Sequence, residues 1–430
     1  MTRTQFRLDM RRGLGSCHLE LDQCKNIEKY REDVLWGCLH ARAYDTQSEG
    51  TRAVYLFEMI ERFGDWTDFY ERLAADAKRR IREYGWRFAH DTDILALMAG
   101  SGYAPAKQTL EALYGLLLHA LQTGRPGKLL WPASDNYDEF CIEMLTNGLQ
   151  SQAEKEAFFL RTLKDRGSLI RRRPALAVRF VDECLSDMAA DALGTDRRDA
   201  LLDSGREDPD VALYLETLDR LEREWNETRE EIEQTALSRT ARQLGEYQNA
   251  DEDQRAAILG GLRRYAVAVT AEEPDVTQLL ADAESENETL RAEAWRLLSG
   301  LRDDRVRDLA LRALDRDPEN DNAIRAVIKN YRPGDEARVS AWVRSASLNE
   351  HCGSWHGVFW EVRDLIDENL EADAALSSTL LPYMYRKGFC SCCRRDVVEA
   401  MLERGLLTPE LIAECRHDCN LEIRELVKTL

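Results

Sequence analysis

The side chains best suited to chemistry gather near the end of the chain. Cys390, Cys392 and Cys393 are followed by Cys415, His417 and Cys419. Zinc asks for four sulfur or nitrogen ligands at the corners of a tetrahedron, and Cys390 with Cys393 (C-x2-C) and Cys415 with Cys419 (C-x3-C) could supply them. The competing reading is free cysteine, packed or exposed. If the last residues form a helix, a turn and a helix, Cys415 faces the core of its helix while Cys419 sits in the turn, and the two pairs need not converge. His351, Cys352 and His356 lie near enough in sequence to join the group, although no spacing rule demands it.

Three further groupings bear on function. Asp45, Gln47, Glu49 and Arg52 crowd a polar loop beside His40, where paired carboxylates could bind a cation or act as acid and base. The same residue types are what a helix-to-helix turn needs to cap the helix that follows, and that reading is preferred. His90, Asp91 and Asp93 form a second small cluster, weak as a metal signal. Arg161, Lys164, Arg166, Arg171, Arg172 and Arg173 reverse the local charge and could bind phosphate or an acidic partner. In an acidic chain they equally suit pairing with carboxylates on other helices, because the guanidinium fork matches a carboxylate.

Composition narrows the class. The chain has 430 residues, a formal charge of −20, 44% apolar and 32% charged residues and only ten prolines. That balance favours helices joined by short turns over strands and long loops. So much negative charge repels phosphate backbones and anionic lipid, so nucleic acid and membrane surfaces are unfavoured partners and a protein partner is the default. No apolar run of about 18 residues is present, and the start lacks the apolar core of a secretion signal. Eleven cysteines without the dense spacing of a disulfide scaffold read as reduced thiols. A cytoplasmic location is the expectation.

The elements that would position these residues are helices. Residues 1–16 carry Arg3, Arg7, Arg11 and Arg12 and read as a mobile arm. Helix pairs follow over 26–63, and His119, inside the apolar run 110–121, reads as a core histidine. After Asp208-Pro209, Leu215, Leu218, Glu222, Trp225, Arg229 and Ile232 recur at about 3.5-residue spacing, a broken stripe that suits a long charged helix or spacer. The divisions expected are 1–205, a divergent helical region; 206–250, the spacer; and 251–430, a repeat region.

Repetition is clearest in that last region. Leu290, Ala294, Leu297 and Leu298 mark one amphipathic helix, and Val306, Leu309, Ala310 and Ala313 mark its partner beyond Asp303-Asp304. Val276, Leu279, Leu280 and Ala283 carry the pattern of Val306 to Ala313 about thirty residues earlier, and Val339, Trp342 and Val343 carry it again later. This stretch resembles HEAT repeats, in particular the short bacterial type associated with phycobilin lyases. The resemblance covers about 254–345 and 405–430. It implies an all-α protein, a right-handed α-solenoid of antiparallel helix pairs whose concave surface holds a protein. It also implies that turn residues tie neighbouring repeats together: Asp304 with Arg305 or Arg307, and Asp418 with Arg424.

Catalysis has little support. There is no glycine-rich phosphate loop, nucleophile elbow or HExxH helix, so no catalytic residue is assigned. The leading expectation is a non-enzymatic interaction scaffold without a required cofactor, zinc being the one the residues could hold. The alternative is a nucleic-acid-binding or DNA-glycosylase-like enzyme on a HEAT-like frame, for which Arg161 to Arg173, Trp66, Trp86 and Asp45 are the residues to examine.

Overall fold

Capping side chains recur where the chain turns. Asp275, Asn287, Asp303 and Asn320 each accept a hydrogen bond from a backbone N–H of the helix they precede, so helix starts are written into the sequence. The computed structural model describes the chain apart from residues 84–87, 124–129, 175–176, 178–183, 225–245, 248, 265–274, 319 and 347–353. The side chains of 46–47, 81–83, 88, 130–136, 184–188, 263–264 and 354 also lie outside the description.

Among the described residues there is no strand. The helices are α1 (Arg3–Arg12), α2 (Ser16–Gln23), α3 (Arg31–His40), α4 (Thr46–Glu49), α5 (Ala53–Ile60), α6 (Thr67–Glu83), α7 (Phe88–Gly100), α8 (Ala104–Thr123), α9 (Leu130–Glu143), α10 (Gln152–Arg172), α11 (Cys184–Leu193), α12 (Thr195–Gly205) and α13 (209–224). They continue with α14 (Glu252–Arg264), α15 (Val276–Asp282), α16 (Glu288–Leu298), α17 (Asp304–Arg316), α18 (Asp321–Lys329), α19 (Glu336–Ala346), α20 (Ser354–Glu368), α21 (Leu370–Lys387), α22 (Ser391–Glu403), α23 (Pro409–Cys415) and α24 (Leu421–Leu426). The protein is all-α. Among the described residues, no helix is long and apolar enough to cross a membrane.

The chain divides into two units, the first made of Met1–Glu224 with Thr408–Leu430, the second of Trp225–Leu407. The division after 224 falls inside the 206–250 segment, and the last residues join the first unit. Of the broken stripe, Leu215, Leu218 and Glu222 are described; Trp225, Arg229 and Ile232 lie outside the described residues, as does Trp86.

In the first unit α7 is central, packed against α3, α5, α6, α8 and α9. Residues 3–12 are no loose arm. They form α1, with Phe6 and Met10 buried and Arg3 and Arg7 both paired to the buried Asp33, each at 2.6 Å. Two cations on one buried carboxylate explain the arginine-rich composition that suggested solvation. His119 is exposed on α8. α13 begins against α10: Lys164 pairs with Asp208 at 2.6 Å, and a Cβ on Gly167 would lie 1.7 Å from the Asp210 carbonyl oxygen.

Residues 408–430 close on the beginning of the chain. The Cys419 N–H donates to the Gly13 carbonyl at 2.9 Å, and a Cβ on Gly15 would lie 1.9 Å from the Glu414 carbonyl oxygen. Arg424 donates to both carboxylate oxygens of Glu58, at 2.6 and 3.0 Å, and to the Asp418 carbonyl at 2.5 Å. The expected Asp418–Arg424 tie therefore runs through the Asp418 backbone, and Glu58 of α5 takes the charge. The rings of His18 and His417 stack, with centroids 5.5 Å apart.

In the second unit α14 packs on α16, α16 on α18, α18 on α20 and α20 on α22. The intervening helices pair with this row: α15 with α16, α17 with α18, and α19 and α21 with α20. Arg307 reaches Asp335 at the start of α19, Asp304 takes Arg332, and Arg305 takes Asp303. Arg255 pairs with Asp282 in the same manner, across a similar stretch of sequence.

Candidate functional sites

A buried polar group lies on α7. The sequence His90-Asp91-Thr92-Asp93 sits in a helix enclosed by five others, so these groups are stripped of water. His90 shares a hydrogen bond with the Cys38 carbonyl at 3.0 Å, and burial lowers its pKa to about 3, which keeps the ring neutral. Burial raises the Asp91 pKa to about 7, outweighing Arg80, whose Nε lies 2.8 Å from its carboxylate. Asp93 accepts from the Thr51 hydroxyl at 2.6 Å and is pushed well up by burial and by Glu143, itself raised to about 7 by burial. Such acids can hold protons near neutral pH. Among the described residues they do not bring their oxygens together as a metal site would.

The 45–52 loop meets this group through the Thr51 hydroxyl, and the Arg52 charge also bears on His90. Asp45 accepts from the Ser48 hydroxyl at 3.0 Å, and its own N–H donates to Glu49 at 2.8 Å, the local bonding of a short capped helix. Arg52 is buried, paired with Glu49 at 3.4 Å and donating to the Arg11 carbonyl. The side chain of Gln47 lies outside the described residues.

The Arg161–Arg173 cations lie along α10 and at its C-cap. Arg161 pairs with Glu111 at 3.3 Å, Lys164 with Asp208, Arg171 with Asp210 at 2.8 Å, and the buried Arg166 with Asp138 and the Tyr214 hydroxyl. Arg173 donates to the Leu121 carbonyl at 2.7 Å, and Arg172 is exposed. Arg161, Lys164, Arg166, Arg171 and Arg173 thus serve carboxylates and carbonyls of neighbouring segments.

The cysteine-rich residues separate. Cys415 and Cys419 belong to the first unit, Cys390 and Cys393 to the second. In the second unit His356 joins them: one ring nitrogen of His356 and the sulfurs of Cys390 and Cys393 all lie within 4.8 Å of one another. The sequence carried the C-x2-C signal but gave no reason to prefer His356 over its neighbours, since its place depends on α20 packing beside α22. His351 and Cys352 lie outside the described residues.

A groove of about 750 Å³ opens on the second unit. Leu314, Ile324, Trp342 and Val358 form its apolar wall, and Asp321 and Arg325 stand at its edge. The Trp342 indole N–H donates to Asp321 at 2.8 Å, while the Arg325 guanidinium lies over the same ring, 5.5 Å from its centroid. Trp360, on the neighbouring α20, is 54% exposed.

In comparisons with protein-family models, with curated proteins and with solved structures, nothing matches this chain.

Proposed function

We propose that the second unit is a HEAT-like, right-handed α-solenoid and that the protein is a non-enzymatic scaffold whose helical-repeat surface binds a protein partner. The row α14, α16, α18, α20, α22 with its second row of paired helices is the packing that stacked repeats produce. The observation that carries the binding role is the groove, because an indole held at its N–H by Asp321 and overlain on one face by Arg325 is a fixed aromatic beside an apolar wall, of the kind that anchors protein interfaces.

The enzymatic alternative finds less support. Arg161, Lys164, Arg166, Arg171 and Arg173 are engaged with carboxylates and carbonyls, and a nucleic-acid groove needs cations directed at phosphates.

The test is affinity capture with the full chain from lysate of the source cells, wild type against Trp342→Ala. A partner retained by the wild type and lost with unchanged helicity in the variant supports the scaffold. Turnover of a small molecule by the purified chain, with no protein retained, overturns it.

A further inference from the structure

The geometry points to a zinc site formed by His356, Cys390 and Cys393 in the second unit. It is independent of the proposed scaffold role. A tetrahedral zinc with bonds of about 2.3 Å to sulfur and about 2.0 Å to nitrogen holds its ligand atoms roughly 3.5–3.8 Å apart. The three ligand atoms here lie within 4.8 Å of one another, so small side-chain rotations bring them to a common ion.

The surroundings fit a thiolate-bound cation. Cys390 is the N-cap of α22, and its sulfur accepts the Cys393 N–H at 3.5 Å, the local bond that supports a thiolate in a C-x2-C turn. Both cysteines are buried. Burial makes charge balance decisive: two thiolates cancel the charge of a divalent ion, and the imidazole adds none. Sulfur and imidazole select zinc over magnesium or calcium, which prefer oxygen.

The backbone is built to bring the two segments together. A Cβ on Gly388 would lie 2.7 Å from the Met384 carbonyl oxygen and 3.0 Å from the Trp355 ring, so only glycine lets the turn before Cys390 approach α20 this closely. Trp355 and Phe389 meet edge-on, with centroids 6.5 Å apart, directly beside His356 and Cys390 in sequence. This contact holds the turn before α22 against the start of α20. Three protein ligands leave one corner of the tetrahedron, which a water can occupy.

The test uses the full chain, purified under reducing conditions without added metal. Elemental analysis is expected to show close to one equivalent of zinc. After exchange, cobalt(II) is expected to give the intense visible bands of a tetrahedral ion and a sulfur-to-cobalt charge-transfer band. Both should vanish in Cys390→Ser, Cys393→Ser and His356→Ala, and persist in Cys415→Ser and Cys419→Ser. His356→Cys, which keeps a ligand, should retain tetrahedral cobalt and separates loss of a ligand from loss of fold. Absence of zinc and of any cobalt bands at full helicity overturns the assignment. So does cobalt binding that survives the Cys390 and Cys393 substitutions, or a Cys390–Cys393 disulfide that resists the reducing conditions of purification.

Discussion

Arg307 holds Asp335 with two N–H···O bonds, at 2.8 and 3.1 Å, and both side chains are buried. The same Arg307 donates to the Asn330 carbonyl at 3.0 Å, so one guanidinium joins α17, the end of α18 and the start of α19. Removing one partner strands a buried charge. Arg307→Ala is expected to destabilise the second unit by about 3–5 kcal/mol, whereas exchanging both residues for apolar ones of similar volume is expected to cost much less. Denaturant unfolding of the single and double variants would check this; equal losses would show that the pair does not act as a unit.

Asp91 should leave its mark on pH dependence. Its folded pKa of about 7 lies above the ordinary value of 3.8, so the native state holds a proton that the unfolded state has released between those limits. Stability from this group is therefore present below about pH 4 and is lost as pH rises through about 7. Relative to the wild type, Asp91→Asn is expected to gain stability across that window, by at most about 1.4 kcal/mol per pH unit. Arg80 keeps Asp76 as a partner at 2.6 Å in the variant. The neutral His90 acts with the opposite sign below its ordinary value of 6.5, which is why the variant-minus-wild-type difference is the quantity to measure. A pH-independent difference would refute the assignment.

Gly15 has no room for a methyl group, with the Glu414 carbonyl oxygen 1.9 Å from where it would sit. Gly15→Ala is expected to cost about 1–3 kcal/mol in the first unit through overpacking. Because the obstacle is the 408–430 segment, limited proteolysis should cut that segment faster in the variant. Unchanged cleavage would mean that the strain is relieved elsewhere.

Engagement of the α10 cations bears on nucleic acid. Titration with single- and double-stranded oligonucleotides is expected to show no binding that weakens steeply with salt, since steep dependence requires cations free to replace counterions. A strongly negative slope would revive the nucleic-acid reading.

The sequence disclosed what is local. Caps such as Asn287 and Asp303 act within three residues of themselves, and the apolar spacing of α16 and α17 is carried by one short stretch. It concealed what depends on distant neighbours. Arg3 and Arg7 read as solvated because their partner, Asp33, is 30 and 26 residues away. His119 lies in an apolar run yet falls on the outer face of α8, a difference set by helix phase. Cys390 and Cys415 are close in sequence, but they belong to different units, and His356 stands with Cys390 because α20 packs on α22.

The hydrogen bond from Cys419 to Gly13 imposes an order on biosynthesis. A ribosome exposes residues 1–224 long before it makes the segment that seals them, and it must translate the whole of the inserted unit in between. The early helices therefore wait with Gly15 and His18 lacking the neighbours that Glu414 and His417 supply, during which a holdase chaperone has its opportunity. The inserted unit, built from neighbours close in sequence, is free to mature first.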